Sequence, residues 1–96
     1  MSKDKQLSKA KNDIVDNLEA IQLVLNNCEN EGMIDSESTY YNELLDLMEE
    51  ARISTTWDEL MEVVTRGKTL EIDVDGWLSI HGRTSFSLSW PSKPTP

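Results

Sequence analysis

The chain has 96 residues and a formal net charge of −9, from 18 acidic and 9 basic residues. This length allows one domain with one modest core, which is too small for a large catalytic cleft. The charge is segregated, because seventeen of the acids and only three cations, Arg52, Arg66 and Lys68, lie between Asp13 and Asp75. Such a field disfavours direct contact with nucleic acid or an anionic membrane, and it favours a basic protein surface or a cation.

The sequence contains no sign of a membrane span or a secretory leader. No window approaches the roughly 18 uninterrupted apolar residues of a membrane helix. The basic residues at the start are not followed by the apolar run of a signal peptide. Cys28 is the only cysteine, so no disulfide can form within the chain. We expect a cytoplasmic protein without membrane contact, in which Cys28 is a buried and unreactive thiol on an apolar helix stripe.

The first predicted helix begins near Asn12 and ends before Gly32, which supplies a left-handed stop. Lysines before Asn12 would oppose the positive end of the helix dipole, so residues 1–11 are predicted to form a flexible basic arm. The helix assignment rests on apolar residues at helical spacing, with partners three, four or seven positions apart: Leu7, Ile14, Leu18, Ile21, Leu25 and Cys28.

Two further helices are predicted before Gly67. The second runs from Asp35 or Ser36 to about Arg52. A third follows Thr56, which has a glutamate three residues later in the spacing of a capping box, and ends before Gly67. The second helix is expected to pack one apolar face against the first, formed by Tyr41, Leu44, Leu45, Met48 and Ala51.

After Gly67 the apolar period changes from helical spacing to strict alternation, which predicts three strands. Their apolar residues lie in residues 70–74, 78–80 and 86–90, and the last strand extends from Thr84 to Trp90. A three-residue hairpin loop over 75–77 and a turn around Gly82 and Arg83 would place these residues on one face of a sheet. The predicted fold is therefore α+β, with three N-terminal helices packed on one face of a three-stranded antiparallel β-meander in the order αααβββ. Residues 12–90 form this single domain, and residues 91–96, with three prolines, form a disordered tail.

One local pattern has a possible metal chemistry. Residues 71–82, EIDVDGWLSIHG, resemble the twelve-residue calcium loop of the EF-hand family. The resemblance implies that Glu71, Asp73 and Asp75 are the first three ligands and that Gly76 makes the sharp turn. Gly82 stands where the family has a bidentate glutamate, which implies weak calcium binding at most. We prefer the simpler interpretation of an alternating strand followed by an Asp-Gly turn, and we predict no cofactor.

Enzymatic patterns are absent from the sequence. His81 is the only histidine and falls on the predicted solvent side of the sheet. One histidine and one cysteine do not make the usual four-ligand zinc set, and no glycine loop that would bind a phosphate is present. We therefore expect a protein that is not an enzyme.

The favoured hypothesis is a small regulatory module that binds a protein with a basic surface. Acidic helix faces would accelerate association and confer selectivity, and aromatic residues at element edges would supply affinity. The acidic candidates are Glu43, Asp46 and Glu50, and the aromatic candidates are Tyr40, Trp57 and Trp77.

Three alternatives remain at this point. The carboxylates could mimic phosphates, so that the chain inhibits a nuclease or a DNA-binding protein in the manner of antirestriction and immunity proteins. The chain could form a homodimer through the stripe of the first helix or the edge of the strand from Thr84 to Trp90. The loop over 71–82 could bind calcium weakly.

Overall fold

The structure is helical throughout its regular elements. The computed structural model describes residues 3–32, 39–82 and 87–93. Within them, α1 spans Lys3–Asn30, α2 spans Thr39–Ile53 and α3 spans Trp57–Ile80, and no residue of these ranges lies in a strand. The predicted α+β fold is therefore wrong, and the observed architecture is a three-helix bundle. None of these three helices has a stretch both long and apolar enough to cross a membrane.

The core lies between the three helices, and each helix contributes a stripe of residues three or four positions apart. The side chains with essentially no exposed surface are Ile14, Leu18, Ile21, Leu25, Leu44, Leu47, Leu60 and Val74. Cys28 is also buried, as its place on the α1 stripe predicts. The apolar stripe of α1 is thus occupied inside the bundle, so it does not offer the dimer contact considered from the sequence.

Helix α1 begins at Lys3, earlier than the start predicted near Asn12. The apolar stripe continues toward the N-terminus, since Ala10 is buried and Leu7 packs against the core. The lysines that oppose the dipole have other partners. Lys9 pairs with Asp13 one turn later at 2.9 Å, and Lys11 Nζ donates to the carbonyl oxygens of residues 52 and 54 at 3.0 and 2.9 Å. Residues 3–11 are helical in the structure, and the mobility expected for residues 1–11 stays a prediction.

Helix α2 runs antiparallel to α1, because Lys11 near the start of α1 reaches the end of α2, while Tyr41 at the start of α2 bonds to the end of α1. The predicted start at Asp35 or Ser36 lies outside the described residues. The predicted burial of Leu45 is wrong, because its side chain is 55% exposed, and Leu47 is fully buried in its place. A rotation of 100° per residue places Leu47 beside Leu44 and Ala51, while Leu45 falls on the outer flank.

Helix α3 continues through Gly67, where the sequence predicted its end, and includes the predicted strands 70–74 and 78–80 and the loop over 75–77. Leu60, Val64, Leu70, Val74 and Leu78 are all buried, and their spacing gives one helical stripe. The residues that completed the alternation are exposed instead, Ile72 at 69% and Ile80 at 84%. The third predicted strand does not form in its described part, since residues 87–90 have no strand pairing, and residues 84–86 lie outside the described residues.

Both ends of α3 have identifiable caps. Thr56 is the N-cap and its hydroxyl accepts from the backbone N–H of Glu59 at 3.2 Å, which confirms the predicted capping box. At the other end Gly82 has a φ of +71° and donates to the carbonyl of Ser79 at 3.1 Å. Gly32 has a φ of +74° after α1, so the predicted left-handed stop is confirmed.

Residues 87–93, here called the C-terminal strap, lie across the groove between α1 and α3. Asn17 of α1 donates to the carbonyl oxygen of Ser89 at 2.6 Å. Glu71 of α3 accepts from the backbone N–H of Leu88 at 2.6 Å and from Trp90 Nε1 at 3.1 Å. Both of these apolar strap side chains pack against the core. Of the predicted disordered tail, residues 94–96 lie outside the described residues, while Lys93 lies 3.3 Å from Asp58.

Tyr41 makes a polar contact between the start of α2 and the end of α1. Its hydroxyl lies 2.9 Å from Asn26 Oδ1 and 3.1 Å from Glu29 Oε2, and the side chain is otherwise buried. Burial, together with the hydrogen bond and the charge of Glu29, raises the pKa of Tyr41 from 10.0 to about 12. The neutral phenol is therefore the form that the folded state favours.

This raised pKa predicts a loss of stability in alkaline solution. Because the folded pKa lies above the unfolded one, the contribution of Tyr41 is fully present below pH 10 and is lost as the pH rises through about 12. We expect wild type to lose stability relative to Tyr41→Phe, which has no phenol to ionise, in urea unfolding between about pH 9 and 11.5. Parallel curves for the two proteins would contradict the assignment.

Candidate protein-binding surface

The groove between α2 and α3 contains two cavities along its length. The first, of about 140 Å³, lies where α2 ends and α3 begins and is lined by Glu50, Ile53, Ser54, Glu59, Glu62 and Val63. The second, of about 300 Å³, lies farther along the same groove and is lined by Thr39, Tyr40, Glu43, Thr65, Arg66, Thr69, Leu70 and Asp73. These linings contain five carboxylates and one cation, which leaves a net of four negative charges. We call the five carboxylates with the groove between them the acidic seam: Glu43, Glu50, Glu59, Glu62 and Asp73.

Arg66 occupies the middle of the acidic seam and ties α3 to α2. Its Nε and Nη2 donate to Glu43 Oε1 at 3.1 and 3.0 Å, and its Nη1 donates to Glu50 Oε2. Burial opposes the charged form, but the hydrogen bond that Arg66 donates to Glu43 and the charges of Glu43, Glu50 and Asp46 outweigh it and raise the pKa of Arg66. The guanidinium therefore forms charge-assisted hydrogen bonds with two carboxylates of its own chain.

The smaller cavity combines carboxylates with apolar side chains. Glu59 is held in position by the α3 cap, because its Oε1 accepts from the Thr55 backbone N–H at 3.2 Å and from the Thr56 hydroxyl at 3.1 Å. The same hydrogen bonds hold the pKa of the Glu59 carboxyl below its ordinary value. Beside it lies Ile53, a large apolar side chain that is 62% exposed. An apolar wall beside fixed negative charge suits the stem and head of a lysine or arginine side chain.

The larger cavity has an aromatic and aliphatic lining with charges among it. Leu70 is buried in the core and Tyr40 packs against it. Asp73 is exposed one turn after Leu70 on α3. Trp77 lies four residues after Asp73, so it continues the same flank of the helix. It is half-buried, and its ring stacks on His81 with centroids 4.2 Å apart. This end of the groove therefore offers aromatic surface next to a carboxylate.

The structure brings five of the six predicted partner-binding residues to one side of the bundle. Tyr40, Glu43, Asp46 and Glu50 recur three or four positions apart on the flank of α2 that faces α3, and Trp77 lies on the facing flank of α3. Glu43 and Glu50 are partly neutralised by Arg66, which the sequence pattern did not indicate. Asp46 is exposed.

Trp57, the sixth predicted partner-binding residue, lies on a different side of the bundle. It occupies the first position of α3 and is half-buried against the core. Trp57 and Glu71 are fourteen residues apart, which is four helical turns, so both lie on the flank of α3 that faces the C-terminal strap. Trp57 is therefore separated from the acidic seam by the width of the helix.

Sequence reasoning did not assign to partner binding three exposed carboxylates of the acidic seam, Glu59, Glu62 and Asp73. It also missed Ile53, the exposed apolar residue that lines the smaller cavity. Glu62 lies one turn after Asp58 on the outer side of α3, and a helical wheel of a correctly extended α3 would have placed both Glu62 and Asp73 beside the α2 flank. Asp73 was considered only as a calcium ligand. The assignment of residues 70–74 to a strand removed the phase information that links it to Arg66.

The calcium-loop geometry is not present. Residues 71–80 continue α3, so Glu71, Asp73 and Asp75 follow a helix instead of wrapping around a central point. The carboxylate of Glu71 accepts a hydrogen bond from the Leu88 backbone N–H of the strap. Among the residues that the structure describes, no group of three or more histidine, cysteine, aspartate or glutamate side chains is placed to hold a metal ion.

His81 is exposed to solvent, whereas Cys28 is buried. His81 is exposed beyond the end of α3, where its Nδ1 donates to the carbonyl oxygen of Trp77 at 2.9 Å. Cys28 lies inside the core at the end of α1. The ring serves the helix end, and the thiol packs as a small apolar group.

The comparisons with known proteins add no relative. Neither the protein-family models, nor the curated proteins, nor the solved structures contain a match to this chain.

Proposed function

We propose that the chain is a small, non-enzymatic regulatory module that binds a basic segment of a protein partner along the acidic seam. The observation that carries this proposal is the excess of five carboxylates over one cation in the linings of two cavities in one groove. The single cation, Arg66, is already bound by Glu43 and Glu50. The field of this groove is therefore left for a partner to neutralise.

The shape of the groove supports a segment that carries both charge and apolar surface. Ile53 is exposed beside the carboxylates of the smaller cavity, and Tyr40 and Leu70 line the larger one. Lysine and arginine side chains could bury their stems against this surface while their heads meet the carboxylates. Charge would accelerate encounter, and the buried stems and aromatic contacts would slow dissociation. We place the protein in the cytoplasm on its single cysteine, which is free and buried.

A pair of charge-reversal variants tests this function. Glu62→Lys with Asp73→Lys reverses two exposed charges of the acidic seam, and Asp16→Lys with Glu19→Lys makes the same change on the exposed side of α1. Tagged full-length chains would capture partners from a native lysate, with quantitative mass spectrometry at low and high salt. We expect a basic protein that wild type and the α1 variant retain equally and that the seam variant binds at least about tenfold more weakly, since like charges then face each other.

Equal retention by the two variants would contradict the proposal, as would a stoichiometric partner without a basic surface. The identity of the partner and its salt response separate a regulatory module from a nucleic-acid mimic. A mimic would bind a nuclease or DNA-binding protein and lose affinity steeply with salt, as DNA does.

A further inference from the structure

The C-terminal strap is recognised by the groove between α1 and α3 through its backbone as well as its side chains. One carboxylate, that of Glu71, accepts from both the Leu88 backbone N–H and the Trp90 indole, at 2.6 and 3.1 Å. From the opposite wall, Asn17 Nδ2 donates to the Ser89 carbonyl oxygen at 2.6 Å. Backbone hydrogen bonds combined with side-chain pockets are the means by which domains bind extended peptides.

Gly67 is the residue that admits the indole. A Cβ atom at this position would lie 2.6 Å from Trp90 Cη2 and 2.9 Å from Cζ3, which is closer than carbon atoms pack. Glycine in a helix interior is destabilising relative to alanine. The close approach of the indole, which packs against the core, gives a reason for a glycine at this buried position in the middle of α3.

We propose that this groove is a binding site for the segment Leu88-Ser89-Trp90 supplied by a second copy of the chain, so that two chains can exchange their straps. Every contact described above joins the strap to α1 or α3, and all of them can form identically between two copies. The groove fits three features of the strap: the apolar side chain of Leu88, the backbone carbonyl of Ser89 and the indole N–H of Trp90. This surface lies on the opposite side of α3 from the acidic seam and is independent of it.

The strap of each chain competes with the strap of a second copy for the same groove. A strap held in its own groove acts at an effective concentration on the order of millimolar, so it outcompetes a second copy at ordinary protein concentrations. Exchange becomes visible when one chain has an open groove and another has a strap without a groove. Trp90→Ala provides the first, because it keeps Glu71, Asn17 and Gly67. Gly67→Leu provides the second, because its Cβ would already lie 2.6 Å from the indole, so the strap of that chain cannot dock in its own groove.

The experiment mixes these two full-length variants at about 100 µM each, a tenth of the tethered concentration, and measures mass by native mass spectrometry and light scattering. We expect each variant alone to be a monomer and the mixture to contain a 1:1 complex. We also expect a blue shift in tryptophan emission relative to the sum of the separate spectra, because the free indole of the Gly67→Leu chain becomes buried. Circular dichroism verifies that both variants are helical.

Controls make the result specific. Glu71→Ala is a second groove variant that removes both acceptor oxygens, and it should replace Gly67→Leu in the mixture even if that variant does not fold. Wild type mixed with Trp90→Ala should stay monomeric, because the wild-type strap occupies its own groove. Only monomers in both complementing mixtures would overturn the proposal, and so would a tryptophan emission spectrum of Gly67→Leu that is unchanged from wild type.

Discussion

Replacing Trp90 by alanine is expected to destabilise the bundle by about 2–3 kcal/mol, below the 3–5 kcal/mol of a fully buried aromatic because the indole is half-exposed. The substitution removes the apolar surface that covers Gly67 and one of the two hydrogen bonds to Glu71. For a domain of this size the melting temperature should fall by roughly 10–20 °C. Thermal unfolding followed by circular dichroism at 222 nm measures the change.

The matched control for this variant is Ser89→Ala in the same strap. The side chain of Ser89 is exposed, and its bond to Asn17 uses the backbone carbonyl, which alanine retains. Its melting temperature should stay within a few degrees of wild type. A Trp90→Ala protein as stable as wild type would mean that residues 87–93 do not occupy the groove between α1 and α3.

Replacing Ile72 by proline is expected to cost about 3 kcal/mol or more, although this side chain is 69% exposed and contributes little to the core. The cost arises from the backbone of α3, since proline removes a helical hydrogen bond and its ring clashes with the preceding turn. The control Ile72→Lys retains the backbone and should change stability by less than about 0.5 kcal/mol. Urea unfolding of the three proteins measures the difference.

Gly76→Ala should change stability in the opposite direction. Gly76 lies inside α3, and a Cβ there would meet no atom within 4 Å, so alanine should stabilise the helix by about 1 kcal/mol. A hairpin with a positive φ at this glycine would lose stability on the same change. Destabilisation by Gly76→Ala, together with a mild effect of Ile72→Pro, would contradict the continuous helix and favour the hairpin.

The sequence was sufficient to predict helices over most of α1 and α2, because their apolar residues follow a single helical period, although α1 begins at Lys3 and not near Asn12. The cap at Thr56 followed from the glutamate three residues later. Prediction from the sequence failed after Gly67 because two periods coexist there. Leu70, Ile72 and Val74 alternate as a strand would, yet Leu70 and Val74 are also four apart and extend the stripe from Leu60. Burial decides between the periods, and burial depends on the packing of α1 and α2 against this stripe.

Gly67 and Gly76 strengthened the incorrect interpretation, since glycine usually ends a helix or marks a turn. The reason for Gly67 lies twenty-three residues away in Trp90, which no local pattern can reveal. The strap itself was predicted as a strand and tail because its alternation of serines with apolar residues is real. In the structure that alternation faces a groove between helices instead of a sheet.

The candidate site was predictable only within one helix. Helical spacing placed Glu43, Asp46 and Glu50 on one flank of α2 from the sequence alone. The contribution of α3 was not predictable, because the pairing of Arg66 with Glu43 and Glu50 depends on how two helices pack. The strand assignment also concealed that Asp73 and Trp77 continue the flank that carries Arg66.

Carboxyl-group footprinting of the partner complex tests the central claim most directly. A carbodiimide couples an amine to exposed carboxylates, and mass spectrometry reads each site in the free chain and in the complex captured by wild type. We predict that labelling of Glu62 and Asp73 in the acidic seam falls on binding, while Asp16 and Glu19 on the exposed side of α1 remain as reactive as in the free chain. Protection of Asp16 and Glu19 with unchanged labelling of Glu62 and Asp73 would show that the partner binds elsewhere and would contradict the proposed function.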